Sequence, residues 1–277
     1  MARRKRTSRT TAAKPVNKKF NSLAEFAEYL DTAPLGPGWY ESLLHSKATY
    51  PDYVEFSGTK DYTEANNMML NGWDYGKEEV TKIMNDRFDG VQEVKRLTLS
   101  YVGAVPCVPA YLSGSPRNMI AIKKQSARRP VVTIVYNAAV GGSVEASDIM
   151  TTAAKLFNVI RGLELGGVSV ELYAGSFSVS GNDNVNLLVK VKSASQPLNL
   201  LTMCYPVVHP SFNRRHKFAF IERSGLSCEN WGDYGGSLTD IAEMTKRASA
   251  LGLTNPNCFS FYNLQYKTEK QIAEMIR

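Results

Sequence analysis

The chain has 277 residues, with 33 Lys and Arg against 26 Asp and Glu for a net charge of +7; 43% of its side chains are hydrophobic and 21% charged. That is an ordinary composition for a soluble globular protein, and apolar runs such as Val131–Tyr136 and Val207–Val208 are far too short to cross a bilayer, so no membrane association is expected. The cysteines Cys107, Cys204, Cys228 and Cys258 are widely spaced and the histidines are only His45, His209 and His216, so a disulfide framework, a metal site and a cofactor are not expected, and a reduced setting fits.

The charge is unevenly placed. Arg3, Arg4, Lys5, Arg6, Arg9, Lys14, Lys18 and Lys19 give the first nineteen residues eight basic side chains and no acidic one. Subtracting those eight leaves 25 basic against 26 acidic residues, so the body is close to neutral. Residues 1–19 have almost nothing to bury and are expected to form a disordered basic arm. Its expected partner is nucleic acid or another polyanion, bound strongly at low salt and with little sequence preference. No apolar stretch follows the charges, so no secretion signal is expected.

Residues 20–129 read as mainly helical. Asn21 or Ser22 caps a helix to about Leu30, with Leu23, Phe26, Ala27 and Leu30 on one face; Pro34–Gly38 stops it. Thr59 or Asp61 caps a helix holding Ala65, Met68, Met69 and Leu70 and ending at Gly72. A further helix over 77–88 turns Val80, Ile83 and Met84 inward. Leu97–Val102 reads as a strand, and Val105–Pro109 with Gly114–Pro116 as an irregular connection. The aromatics Trp39, Tyr40, Trp73 and Tyr75 are expected to fasten these helices to the rest.

Strands and helices alternate over 130–277. Val131–Tyr136 is a β-branched run of the buried parallel type, followed by a glycine-rich turn and a long helix over 146–165. Strands are expected at 168–173, 185–191, 217–221 and 258–262, and helices at 197–203, 237–251 and 269–276. The short link between the second and third strands leaves room only for an antiparallel hairpin, placed at the sheet edge. The fold class is therefore α/β, a mostly parallel open Rossmann-like sheet with an antiparallel edge hairpin, preceded by the helical region and the arm.

Three segments concentrate polar chemistry. The turn Asn137–Ser143 links a strand to a helix N-terminus, a geometry suited to anions, yet it is neither a G-x-G-x-x-G fingerprint nor a P-loop. His209, Arg214, Arg215 and His216 lie within eight residues, where the arginines could clamp a phosphate or carboxylate and a histidine could exchange protons. Trp231 and Asp233, with Tyr234, fall at the same expected sheet edge, where ligands of open α/β sheets bind. Against this, Arg215 or Arg214 paired with an acid such as Glu222, and His209 starting a turn at Pro210, would make the segment structural. No hydrolase, zinc-protease or deaminase motif is present, and no catalytic residue is assigned.

The element order of 130–277, with an antiparallel hairpin after the second strand, resembles the von Willebrand factor A-type fold. That resemblance implies a metal motif Asp-x-Ser-x-Ser after the first strand. Here the place reads Tyr136-Asn137-Ala138-Ala139-Val140, without the leading acid and first hydroxyl. A second group of pieces, Phe56–Thr59, Asn71–Trp73 with Gly76, Tyr111–Pro116 with Met119, His209–Arg215 with Phe218 and Glu222, and Tyr234-Gly235, resembles uncharacterised proteins encoded by bacteriophages. It implies a viral origin, hence a place in the host cytoplasm or the virion, and supplies no mechanism.

The expected function is that of a non-enzymatic phage-type interaction protein, with the arm on a polyanion and the α/β domain on a protein partner. The alternatives are a virion structural component contacting the genome and an enzyme acting on a phosphate-bearing substrate.

Overall fold

The computed structural model describes residues 15–36, 51–87, 97–103, 105–122, 130–180, 183–226 and 236–276. The strands are β1 Val16–Phe20, β2 Leu97–Ser100, β3 Val105–Pro106, β4 Met119–Ile122, β5 Val131–Asn137, β6 Ser169–Ser180, β7 Asp183–Lys192, β8 Gly236–Ser237 and β9 Asn257–Ser260. The α-helices are α1 Leu23–Thr32, α2 Pro51–Ser57, α3 Tyr62–Asn71, α4 Asp74–Arg87, α5 Val108–Leu112, α6 Ala146–Leu165, α7 Leu200–Val208, α8 Phe218–Glu222, α9 Ile241–Ala250, α10 Phe261–Leu264 and α11 Glu269–Glu274. A π-helix, Phe212–Lys217, runs directly into α8.

The central sheet has the order β1-β7-β6-β5-β9, and β8 adds to the far end of β6. β5 is parallel to both β6 and β9, β1 is parallel to β7, and β6 and β7 form the expected antiparallel hairpin. Side chains alternate across β5 as a strand buried on both faces requires. Ile134 and Tyr136 enter the larger core with α1, α3, α4, α6, α7 and α8. Val135 faces the other way, joining Tyr173, Phe177, Leu188 and Cys258 under Met244 and Ala248 of α9. A smaller antiparallel sheet, β2-β4-β3, stands apart.

Several helix ends follow directly from local chemistry. The Ser22 hydroxyl accepts from the Glu25 N–H, and the Glu25 carboxylate accepts from the Asn21 N–H. Asp61 and Glu64 repeat the device at α3; both ends have the reciprocal logic of a capping box. Gly72 ends α3 at φ 101°, and a Cβ there would lie 2.5 Å from the Leu201 side chain. That position excludes every L side chain on both backbone and packing grounds.

Four expectations are corrected. Residues 217–221 are helical, not a strand: every residue from Phe212 to Glu222 is buried. A segment enclosed on all sides shows no periodicity by which to tell strand from helix. The hairpin is not at the edge, because β1 pairs outside β7. Lys18 and Lys19, counted with the basic arm, lie in that strand, which reads as arm because it spans five residues and carries lysines suited to an edge. Its Phe20 is buried, with ring centres 5.1 Å from Phe26 and 5.3 Å from Tyr29. Val105–Pro109, expected to be part of an irregular connection, contributes β3 and the start of α5.

Candidate functional site

The polar segment before α8 is built into the protein interior. α7 ends at His209, whose backbone N–H bonds to the Tyr205 carbonyl, and the chain continues into the π-helix. A π-helical turn widens the backbone and is often found where function has inserted a residue. Here it points successive polar side chains at three different neighbours.

Arg215 turns toward the N-terminal helices. Its Nε donates to Thr59 Oγ1 at 2.6 Å and a terminal nitrogen donates to the Thr59 carbonyl at 2.6 Å, with Tyr53 stacked 4.9 Å from the guanidinium. Thr59 Oγ1 also meets Ser211 Oγ at 2.7 Å, and Ser211 donates to the Ser57 carbonyl. Phe56–Thr59 and His209–Arg215, far apart in sequence, thus meet as one network. His216 sits among Phe26, Tyr62 and Phe212 with Nδ1 3.1 Å from the Tyr205 hydroxyl, and burial pushes its pKa down to about 3. His209 stacks on Tyr205, meets Trp73 edge-on, and accepts from the Ser211 N–H; burial pushes its pKa down to about 4. These groups are neutral imidazoles and a bound guanidinium held by the core.

Arg214 and Asn213 turn toward the loop after β5. Arg214 lies 4.5 Å over the Phe56 ring and donates to the Phe56 carbonyl and, at 3.1 Å, to the Gly141 carbonyl. Asn213 Nδ2 donates to the Val140 carbonyl at 3.2 Å. The Gly141 N–H donates to the Tyr262 hydroxyl at 2.9 Å. A Cβ on Gly141 would approach that hydroxyl to 3.0 Å, so a side chain there would push the two elements apart. Asn137 is wholly buried. Its Oδ1 accepts from the N–H groups of Ala139 and Phe177, and Nδ2 donates to the Leu238 carbonyl at 2.9 Å. It pins the turn to the sheet. Ser143 is exposed farther along the same turn.

This scaffolding encloses a crevice of about 370 Å³. It opens where β5 and β9 end side by side, Asn137 being the register partner of Ser260. Its walls are the Ala139–Gly142 turn, Asn213, Lys217 and Phe218 of the helical segment, Gly236–Ser237 with Thr239, Phe56, and Tyr262. The C-terminal end of a parallel sheet is where open α/β folds place their ligands. Lys217 is 2% exposed. Its Nζ is 5.7 Å from the Phe218 ring centre and has no hydrogen bond or ion pair among the described residues. Burial pushes its pKa down to about 7. Asn213 Oδ1 is buried without a hydrogen-bond partner among the described residues.

The structure therefore brings Asn137 and the Arg214 segment together around one turn, places His209 on a small cavity that it lines with Ala138, Val140 and Arg214, and turns Arg215 and His216 to the core side. Lys18 is exposed on β1 with its Nζ 4.8 Å over Tyr29, and Lys19 is half-buried beside it. Arg3, Arg4, Lys5, Arg6, Arg9, Lys14, Trp231, Asp233 and Tyr234, and also Trp39 and Tyr40, lie outside the described residues. Sequence reasoning missed Lys217, Asn213, Phe56 and Tyr262 as crevice residues. The signal was a lysine at the head of the apolar run Phe218–Ile221, four positions after an asparagine, and it was hidden by reading 217–221 as a strand.

Among the described residues no helix is long and apolar enough to cross a membrane, and no group of three or more His, Cys, Asp or Glu is placed to hold a metal ion. Neither a curated protein nor a solved structure matches the chain. A family described as "Domain of unknown function (DUF7192)" matches residues 4–275, nearly the whole length, and the chain belongs to that family.

Proposed function

We propose that the protein is a non-enzymatic phage-type interaction protein that binds nucleic acid or another polyanion through its basic N-terminal residues, while its α/β body recognises a protein partner. The observation that carries this reading is the segregation of charge: eight basic and no acidic residues in the first nineteen, against a body with 25 basic and 26 acidic. Cationic segments of that kind bind phosphate backbones by counterion release. The core-bound state of Arg215, His209 and His216 adds support, because it leaves the inner half of the polar segment occupied in holding the fold.

A protein partner for the body is favoured by the small sheet and α5, which leave Tyr101, Val102, Tyr111 and Leu112 exposed together with Val105 and Val108. Apolar side chains gathered on one small element are a common mark of an interaction surface. The strand order β7-β6-β5-β9, with α6 between β5 and β6, supports a von Willebrand A-like relationship for 130–277. The ordered pieces from Phe56 to Gly235 support a phage origin, with action in the host cytoplasm or in the virion, where the basic segment would contact the genome.

The test is nucleic-acid binding across a salt series by the full chain and by a chain lacking residues 1–14, a cut that spares β1. Steep salt dependence lost with the deletion is expected. Equal binding by both chains, or by neither, would overturn the reading.

A further inference from the structure

We infer that the crevice at the C-terminal end of β5 and β9 is a binding site for a small phosphate-bearing ligand with a flat apolar portion, of the size and chemistry of a nucleoside monophosphate, held by Lys217 and Asn213. The inference is independent of polyanion binding by the N-terminal residues. It rests on a buried lysine and a buried amide oxygen, neither with a hydrogen-bond partner among the described residues, on two residues that line one cavity.

A buried ammonium with no acceptor is costly, and proteins normally pair such a group or leave it out. Lys217 is buried to 2% exposure and has no acceptor among the described residues, yet it lines an open space of about 370 Å³. An anion entering that space would supply the missing charge and accept its hydrogen bonds. Among the described residues Lys217 is the only charged group on the crevice wall, so none of them opposes an anion. A lysine acts on phosphate as a point charge, needing no planar match. The lowered pKa follows from the same burial, and a bound anion would restore the proton.

Asn213 defines a second requirement. Its Nδ2 is committed to the Val140 carbonyl, which fixes the orientation of the amide and leaves Oδ1 as a buried acceptor without a donor. A ligand that satisfies it must carry an N–H or O–H. Phosphate alone, ionised at neutral pH, answers Lys217 better than Asn213. A sugar hydroxyl or a base amine answers Asn213. The rings of Phe56, Phe218 and Tyr262 supply flat apolar walls, and aromatic faces of this kind stack nucleobases without sequence demands. The Ser237 and Thr239 side chains complete a polar rim. The volume lies within the range of small-ligand sites.

The experiment is calorimetric titration of the full chain with ribonucleoside monophosphates and, separately, inorganic phosphate, at salt high enough to screen the N-terminal charges. Thermal melting is run alongside on the wild-type chain and on Lys217→Met and Asn213→Leu. Saturable nucleotide binding is expected, weakened roughly tenfold or more by Lys217→Met, which removes one charged hydrogen-bonding partner. Lys217→Met should melt no lower than the wild type, so lost binding cannot be confused with lost folding. Asn213→Leu tests the second group, and a weaker nucleotide affinity with unchanged phosphate affinity is expected. Absence of binding by all probes, or undiminished binding by Lys217→Met, would overturn the inference. Phosphate binding as tight as nucleotide binding would overturn the flat-ligand assignment.

Discussion

Arg215 and Thr59 are joined twice, from Nε to the hydroxyl and from a terminal nitrogen to the carbonyl, both at 2.6 Å. The pair ties the π-helix to the turn between α2 and α3 inside the core. The Thr59 hydroxyl also serves Ser211. Thr59→Val keeps the shape and deletes the oxygen, leaving the Arg215 Nε–H and Ser211 short of a partner. The expected cost is about 2 kcal/mol, read as a lower denaturation midpoint in urea with an unchanged slope. An unchanged midpoint would mean that water replaces the hydroxyl at no cost.

Phe20 shows where the N-terminal segment becomes part of the fold. It is buried against Phe26, Tyr29 and Phe220. Phe20→Ala should destabilise the protein by about 3–5 kcal/mol through the cavity it leaves, whereas removal of residues 1–14 should shift the melting temperature little. Equal melting losses for the two changes would contradict the placement of β1.

The histidines predict acid sensitivity at a pH where carboxylates are still ionised. Burial lowers His209 to about 4 and His216 to about 3, while unfolded imidazoles titrate near their usual value of about 6.5. Between those values the unfolded state binds more protons, so stability is complete above about pH 6.5 and falls as pH drops. Unfolding should take up about one proton from this pair at pH 6.5, rising to close to two at pH 5. The measurement is the pH dependence of the urea midpoint over that window. A flat profile would place the imidazoles in contact with solvent.

Lys217 predicts the opposite end of the scale. Its pKa in the folded chain is about 7 against an ordinary 10.5, so the cost of burying its charge is fully present below pH 7 and fades as pH rises toward 10.5. Lys217→Met should raise stability by about 1–4 kcal/mol at pH 7, with the gain shrinking at alkaline pH. Melting curves at pH 7 and 9.5 check both parts. A destabilised variant would show that the ammonium has an unseen acceptor.

Much of the central sheet was legible before the structure. The β-branched run of β5, the twenty-residue period of α6 and the short link between β6 and β7 each leave one option. Of the paired candidates Asn21 or Ser22 and Thr59 or Asp61, the caps are Ser22 and Asp61, each with a glutamate three residues on. β1 was hidden by its lysines, which are typical of both a tail and an edge strand. The helix through 217–221 was hidden by complete burial: Lys217-Phe-Ala-Phe-Ile221 has the same apolar density in either form. The same error concealed the crevice, since Lys217 acquires meaning only once it is turned inward beside Asn213. The polar segment drew attention for its charge, yet the core uses most of that charge for itself.

The pairing of β1 with β7 also orders events during synthesis. Asn17 bonds to Asn186 across 169 residues of chain, and among the described residues β1 pairs with no other strand. A growing polypeptide presents β1 first, and the hairpin that receives it emerges more than half a chain later. Until then the leading segment has no strand to join, and such distant pairings form slowly. β1 is thus synthesised well before the strand that anchors it exists.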